Sequence, residues 1–177
     1  LAIGANAYDA SDTENDNIAI GYDAMTTNTA GGTRNLALGN YALNSLTSGD
    51  KNVAVGYSAL YAVTTGSENV AFGDGALGAN TTGAANVAVG TNALNAINTG
   101  DNNVAVGSDA LGANTTGAYN TAVGKDSLKE NTTAESNTGI GYAALQNNTG
   151  AGNTAVGNQT LQANTTGTRN IAIGAYA

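Results

Sequence analysis

The sequence predicts an all-β fold of one kind, a parallel β-solenoid in which the chain winds into stacked coils of about 17 residues. Two observations predict it. A motif of the form Asn-Val-Ala-Val-Gly returns along the whole chain, and a polar segment such as Asn-Thr-Thr-Gly returns with the same period. The glycines that close the motif are Gly4, Gly21, Gly39, Gly56, Gly73, Gly90, Gly107, Gly124, Gly141, Gly157 and Gly174. We therefore expect residues 1–177 to form one repeat domain of ten to eleven coils.

The motif itself predicts a short strand followed by a corner. Its best-preserved copies are Asn52-Val53-Ala54-Val55-Gly56, Asn86-Val87-Ala88-Val89-Gly90 and Asn103-Val104-Ala105-Val106-Gly107. Valine favours strands, and glycine permits a positive φ or close backbone packing where the chain turns. Side chains alternate between the two faces of a strand, so the valines share one face and the alanine takes the other. The sequence leaves open which face points into the coil, although a narrow coil favours alanine inside.

The asparagine before each strand recurs ten times, from Asn17 to Asn170. Stacked amides one coil apart can hydrogen-bond into a ladder along the stacking axis. The alternative is that asparagine merely suits the preceding turn. We favour the ladder because only asparagine occupies this position.

The remainder of each coil predicts a second strand and a turn. In the coil that starts at Asn52, an apolar segment begins at residues 59–60 and a polar turn follows at residues 64–66. Helical repeats are excluded, since Asn-Thr-Thr-Gly every 17 residues would interrupt them. A one-residue insertion near residues 30–32 and a one-residue deletion near residues 148–150 are both expected to lie in turns.

Composition excludes several classes of function. The net charge is −8 with only five Lys and Arg residues, which argues against binding to nucleic acid or to anionic lipid. There is no histidine and no cysteine, so the common general base and thiolate chemistry are missing. We expect no enzyme activity, no cofactor and no metal. No apolar run is long enough to insert in a membrane, and both ends of the chain fall inside a repeat, so a piece of a longer protein is expected.

Both faces of the Val-Ala-Val strand are apolar, so both need cover. The coil interior covers one face, and sister copies of the chain are expected to cover the other. Cyclic symmetry would bury the same face on every copy. The sequence therefore predicts self-assembly, and the number of copies, a homotrimer or a higher assembly, is what the resemblance described next implies.

The repeat resembles the head repeats of trimeric autotransporter adhesins of the YadA-like type. The form Asn-Thr-Ala-Val-Gly, present at residues 120–124 and 153–157, is also similar to arrays in phage and virus tail-fibre proteins. The resemblance covers essentially the whole chain. It implies a left-handed parallel β-roll, trimerised through the Val/Ala strands, in an extracellular fibre on a cell surface or virion that attaches to a host-surface protein, matrix or glycan.

Other functions remain open beside this one. The chain could belong to a self-assembling extracellular filament, or to a tail-fibre shaft without direct receptor contact. An ice-binding solenoid would need regularly spaced threonines on a strand face, whereas most threonines here fall in turns. A polysaccharide-cleaving enzyme is the least favoured class because the acidic residues, such as Asp50, Glu68 and Asp101, mostly occupy turn positions.

Some residues depart from the repeat and are candidates for surface contact. Tyr22, Tyr57 and Tyr142 share the position after the strand glycine, and Lys125 and Lys129 lie in the most charged coil. Tyrosine is favoured at interfaces and can stack on sugars. The alternative is neutral variation at exposed positions.

Two further sets of residues suggest sites more weakly. The acidic group Asp12, Glu14 and Asp16 suggests a calcium site, although its spacing fits no standard calcium loop. The Asn-x-Thr sequences at Asn80, Asn114, Asn131, Asn147 and Asn164 are interpreted as turn residues rather than glycosylation sites.

Overall fold

A computed structural model describes residues 1–8, 16–27 and 31–177. Within these residues, eleven short strands form one parallel sheet whose order follows the sequence. The strands are β1 Ala2–Ile3, β2 Ile18–Ile20, β3 Leu36–Leu38, β4 Val53–Val55, β5 Val70–Phe72, β6 Val87–Val89, β7 Val104–Val106, β8 Thr121–Val123, β9 Thr138–Ile140, β10 Thr154–Val156 and β11 Ile171–Ile173. The chain makes one complete turn between successive strands, so the protein is a parallel β-solenoid of about ten turns, as predicted.

Neighbouring coils stack in register. Val53 pairs with Val70 and Ala54 with Ala71, and the same pairing continues from β6 to β7 as Ala88 with Ala105. Each residue therefore lies beside its equivalent one coil away. At about 4.8 Å between neighbouring strands, the sheet is about 48 Å long.

The alanine of each strand points into the coil, which answers the question that the sequence left open. Ala54 is fully buried, and so is Leu60 across the interior, whereas Val53 and Val55 are only partly buried. The alanines and the leucines form one continuous cluster along the solenoid. The interior is thus narrow, with space for a methyl group on the strand side and a leucine opposite.

The segment opposite the strand is not a second strand, so this part of the prediction is wrong. Residues 57–62 form turns, with positive φ at Ser58 (52°) and Leu60 (51°). Residues with positive φ alternate with other residues in this segment, and the chain reverses its direction within a few residues. It still bonds from coil to coil, since the Leu60 amide donates to the Ala76 carbonyl at 3.0 Å.

The third inward position of the coil is filled in two ways. It is apolar in some coils, as with Leu46, Val63 and Ile97, and asparagine in others. Asn80 is fully buried; its Nδ2 donates to the Gly83 carbonyl at 3.0 Å and its Oδ1 accepts from the Gly83 amide at 2.9 Å. These bonds agree with the interpretation of Asn80 as a turn residue, and the burial leaves it inaccessible to glycosylation, whereas Asn147 is exposed. Asn114 and Asn131 are buried in the same way.

Two neighbouring coils change one core position each. Strand β9 carries Gly139 where other strands carry alanine, and Ser127 replaces the alanine that precedes the inward leucine one coil earlier. The Ser127 hydroxyl donates to the Gly139 carbonyl at 2.9 Å. A Cβ at Gly139 would lie 2.6 Å from this hydroxyl oxygen. Glycine at position 139 therefore leaves the space that the Ser127 side chain occupies.

Candidate interaction surfaces

The first and third residues of each strand face outward and form a surface that we call the outer ribbon. Its first-position row is Ile18, Leu36, Val53, Val70, Val87, Val104, Thr121, Thr138, Thr154 and Ile171. Its third-position row is Ile3, Ile20, Leu38, Val55, Phe72, Val89, Val106, Val123, Ile140, Val156 and Ile173. The third-position row is apolar throughout, and its members include side chains as exposed as Phe72, at 46%. A continuous apolar surface of this length is unusual on a soluble monomer and marks an interaction site.

A ladder of asparagine side chains holds successive strands of the ribbon in register. The Asn52 Nδ2 donates to Asn35 Oδ1 at 3.1 Å and to the Gly66 carbonyl at 2.9 Å. The Asn52 Oδ1 accepts from the Asn69 amide at 3.0 Å and from Asn69 Nδ2 at 3.2 Å. The side chain uses both of its donors and both acceptor positions while fully buried. Asn86 and Asn103 continue the same pattern, so the predicted ladder is present.

The ladder has one defect, at Asn137, where the deletion near residue 150 shortens the coil. Its Oδ1 accepts from the Asn153 amide at 2.9 Å, but its buried Nδ2 has no partner. In the neighbouring coil the equivalent group, Asn120 Nδ2, donates to the turn carbonyl of Ala134 at 2.9 Å. In the shortened turn the Gly150 carbonyl instead accepts from Asn148 Nδ2 at 2.6 Å and from Asn153 Nδ2 at 3.2 Å.

The strand glycines are required by close stacking as well as by backbone conformation. Gly56 has a φ of 135°, and a Cβ there would lie 2.5 Å from the Gly73 carbonyl oxygen. Gly90 and Gly107 have the same conformation and the same close contact with the next coil. No other residue fits this corner without separating the coils.

Tyr22 and Tyr57 belong to one aromatic array, which the sequence analysis did not find. Both contact Tyr41 edge to face, with ring centroids 5.5 Å and 5.6 Å away. Tyr41 was missed because it lies one residue later in its coil, after Asn40. Its hydroxyl has a raised pKa, chiefly through desolvation and then through the nearby Tyr22 and Asp23.

The structure places Tyr142 with Lys125 and Lys129 in a separate cluster around Asp126. Lys125 Nζ lies 5.7 Å from the Tyr142 ring centroid and 2.8 Å from Asp126 Oδ2, and Lys129 Nζ lies 3.0 Å from Asp126 Oδ1. The Asp126 side chain is only 8% exposed. The hydrogen bond from Lys125 lowers the pKa of Asp126, and the same carboxylate raises the pKa of both lysines. The two lysines are therefore paired within their own coil.

No family model, curated protein or solved structure gives a match to this chain. Function is therefore inferred from the surfaces described above and from the repeat itself.

Two kinds of feature are absent from the described part of the chain. Across residues 1–8, 16–27 and 31–177, no three acidic, histidine or cysteine side chains gather as metal ligands. Of the acidic group considered as a calcium site, Asp12 and Glu14 lie outside the described residues, so the structure does not test that alternative. The same ranges contain no helix with the length and apolar character to cross a membrane.

Proposed function

We propose that this chain is a segment of an extracellular attachment fibre on a cell surface or virion, assembled as a homotrimer of left-handed solenoids through the outer ribbon. The observation that carries the proposal is the outer ribbon itself. It presents apolar side chains along about 48 Å of the solenoid, and many of them stay exposed among the described residues of a single chain.

Self-association through the ribbon agrees with its geometry. The ribbon is continuous, because the strands stack in register, and it repeats with the coil period. Copies related by rotation about an axis parallel to the solenoid would bring equivalent rows together along the whole length, and each copy would bury the same surface. Three copies are chosen because the repeat resembles that of trimeric fibre heads.

The remaining surface favours a binding or structural role. The charged residues of the described part are sparse, and some of them form ion pairs, such as Lys51 with Glu68 and Lys125 with Asp126. A regular fibre also presents each of its surface features once per subunit, so weak contacts add through avidity. We therefore assign attachment, to a host-surface protein, matrix or glycan, rather than catalysis.

Sedimentation velocity tests the assembly. The wild type is expected to sediment at three times the mass of the chain, and Val89→Glu/Val106→Glu to sediment as a monomer. These two residues are outward-facing and 38% and 36% exposed, so their replacement leaves the coil interior intact. The control is Thr82→Glu/Thr99→Glu, which adds the same charge to exposed turns of adjacent coils and should remain trimeric. A wild-type monomer at all concentrations would refute the proposed assembly.

Attachment is tested with beads that carry the wild-type protein. We expect retention on at least one member of a panel of bacterial and epithelial cells, and loss of retention when free protein competes. Trimeric protein without retention on any cell would instead favour a shaft that makes no receptor contact.

A further inference from the structure

A groove on the solenoid surface begins at the aromatic array. Its first part has a volume of about 420 Å³ and is lined by Tyr41, Tyr57, Tyr61, Gly75, Gly78 and Asn95. Tyr57 and Tyr61 are 54% and 43% exposed, so their rings are accessible at the wall of the groove.

Two glycines create the depth of this first part. Gly75 and Gly78 occupy the coil positions that hold Ser58 and Tyr61 in the preceding coil. A Cβ at Gly78 would lie 3.0 Å from Asn95 Nδ2, so even a methyl group would crowd the floor. The Asn95 amide is held in place, since its Nδ2 donates to the Gly75 carbonyl at 2.7 Å.

A second depression, of about 300 Å³, lies beside the first along the solenoid, and we treat the two as parts of one groove. Asn95 lines both parts, and the second is also lined by Asn92, Asp109, Gly112, Lys129 and Glu130. From the coil of Tyr41 to the coil of Lys129 there are five strand spacings, or about 24 Å. An extended molecule fits this shape better than a compact one.

The lining chemistry indicates the class of ligand. Tyrosine rings offer flat apolar faces with a polar edge, which suit a pyranose ring. Asparagine and carboxylate side chains can donate to and accept from neighbouring hydroxyl groups. The only cation in the lining, Lys129, is paired with Asp126 at 3.0 Å, and Asp109 and Glu130 add negative charge beside it. A nucleic acid or an acidic sugar would therefore be repelled.

We propose that this groove binds a linear neutral oligosaccharide along the fibre axis, with a sugar ring stacked on Tyr57 or Tyr61 and hydroxyl groups bonded to Asn92 and Asn95. This inference rests on the proposed attachment function and specifies its ligand and its site. It places recognition on the groove, which meets the Tyr142 cluster at Lys129.

The test is direct binding of neutral hexasaccharides, namely cellohexaose, maltohexaose and hexa-N-acetylchitohexaose, with hexagalacturonate as the acidic counterpart. Titration calorimetry gives the affinity. Intrinsic tyrosine fluorescence gives a second readout, because the chain has eight tyrosines and no tryptophan. We expect at least one neutral hexasaccharide to bind and hexagalacturonate not to bind.

Matched variants locate the site. Tyr57→Ala/Tyr61→Ala should weaken binding by about tenfold or more, since it removes both accessible rings. Gly78→Asn should also weaken binding because it fills the groove without changing a tyrosine. Tyr119→Ala removes a ring that is 63% exposed outside the groove and should leave the affinity unchanged. Circular dichroism would verify that all three variants fold.

Three results would overturn the inference: no binding of any neutral hexasaccharide, binding of hexagalacturonate alone, or equal affinity in the wild type and the double tyrosine variant. Sedimentation of the same samples separates this inference from the assembly proposal. A trimer that binds none of these sugars removes the groove assignment alone. A monomer that binds a neutral hexasaccharide through Tyr57 and Tyr61 supports the groove assignment and removes the trimer alone.

Discussion

Replacing Asn52 with alanine is expected to lower the free energy of unfolding by about 4 kcal/mol. The substitution removes the four side-chain hydrogen bonds that join Asn52 to Asn35, Gly66 and Asn69. Each contributes about 1 kcal/mol net. The Asn52 amide still donates to Asn35 Oδ1, so the loss is confined to the side chain.

Asn137→Ala is the matched comparison, because it removes an equally buried amide from the same ladder. Only one hydrogen bond to the Asn137 side chain is lost, the one that its Oδ1 accepts from the Asn153 amide. The substitution also removes a buried donor without a partner, which offsets part of the cost. The expected loss is about 1 kcal/mol or less, so the two variants should differ by about 3 kcal/mol.

Urea denaturation at equal protein concentration measures both variants, provided that sedimentation shows the same oligomeric state. Amide hydrogen exchange adds local information, since a repeat protein can lose individual coils before it unfolds completely. Faster exchange around residues 52–69 is expected in Asn52→Ala. Equal losses in the two variants would show that cavity formation, rather than the hydrogen-bond ladder, dominates at these positions.

Three further predictions concern single coils. Gly139→Ala should destabilise the protein because the new Cβ would meet the Ser127 hydroxyl. The double variant Ser127→Ala/Gly139→Ala should recover the lost stability. A double-mutant cycle measured by urea unfolding checks this, and additive effects of the two substitutions would contradict it. Gly56→Ala should lower the free energy of unfolding by about 2 kcal/mol or more, because the backbone φ at this position is 135° and the new Cβ would meet Gly73. Thermal unfolding measures the change, and an unchanged midpoint would refute the close stacking. The pKa of Asp126 is lower in the folded protein than its ordinary value. The ion pairs of Asp126 therefore stabilise the fold fully above the ordinary pKa, and this stabilisation is lost as the pH falls to the lowered pKa. The stability of the protein should fall below about pH 4. Asp126→Asn should reduce this dependence in a pH series of thermal unfolding, and an unaltered series would contradict the assignment.

The strand half of each coil could be predicted from the sequence because its residues have few alternatives. Asn52 needs a partner for every polar atom once it is buried, and the asparagines of the neighbouring coils supply all of them except the Gly66 carbonyl. Gly56 is required by backbone conformation and by the distance to the next coil. These constraints are local or repeat with the coil period, so the motif itself carries them.

The half opposite the strand could not be predicted in the same way, although one signal was present. The position of Leu60 is filled in other coils by Leu, Met or Tyr and never by Val or Ile. These positions have positive φ, which β-branched residues avoid. An apolar pair such as Ala59-Leu60 resembles the start of a strand, and the absence of Val and Ile from the Leu60 position is the signal that it is not one.

The candidate surfaces were also only partly predictable from the sequence. The sequence indicated Tyr57, but its contact with Tyr41 and the depth of the groove depend on which side chains lie on neighbouring coils. Lys125 and Lys129 looked available for a partner, and only the structure shows that both are held by Asp126.

The sequence by itself determined the period, the position of each strand and the identity of the ladder, because a strict repeat forces equivalent residues to lie beside one another. Only the tertiary structure decided that alanine faces inward and valine outward, since both faces of Val-Ala-Val are apolar and the width of the coil selects between them. The same winding set Gly75 and Gly78 beside Tyr57 and Tyr61 and so formed the groove. Residues that lie 17 positions apart become neighbours only after the chain has closed a full turn.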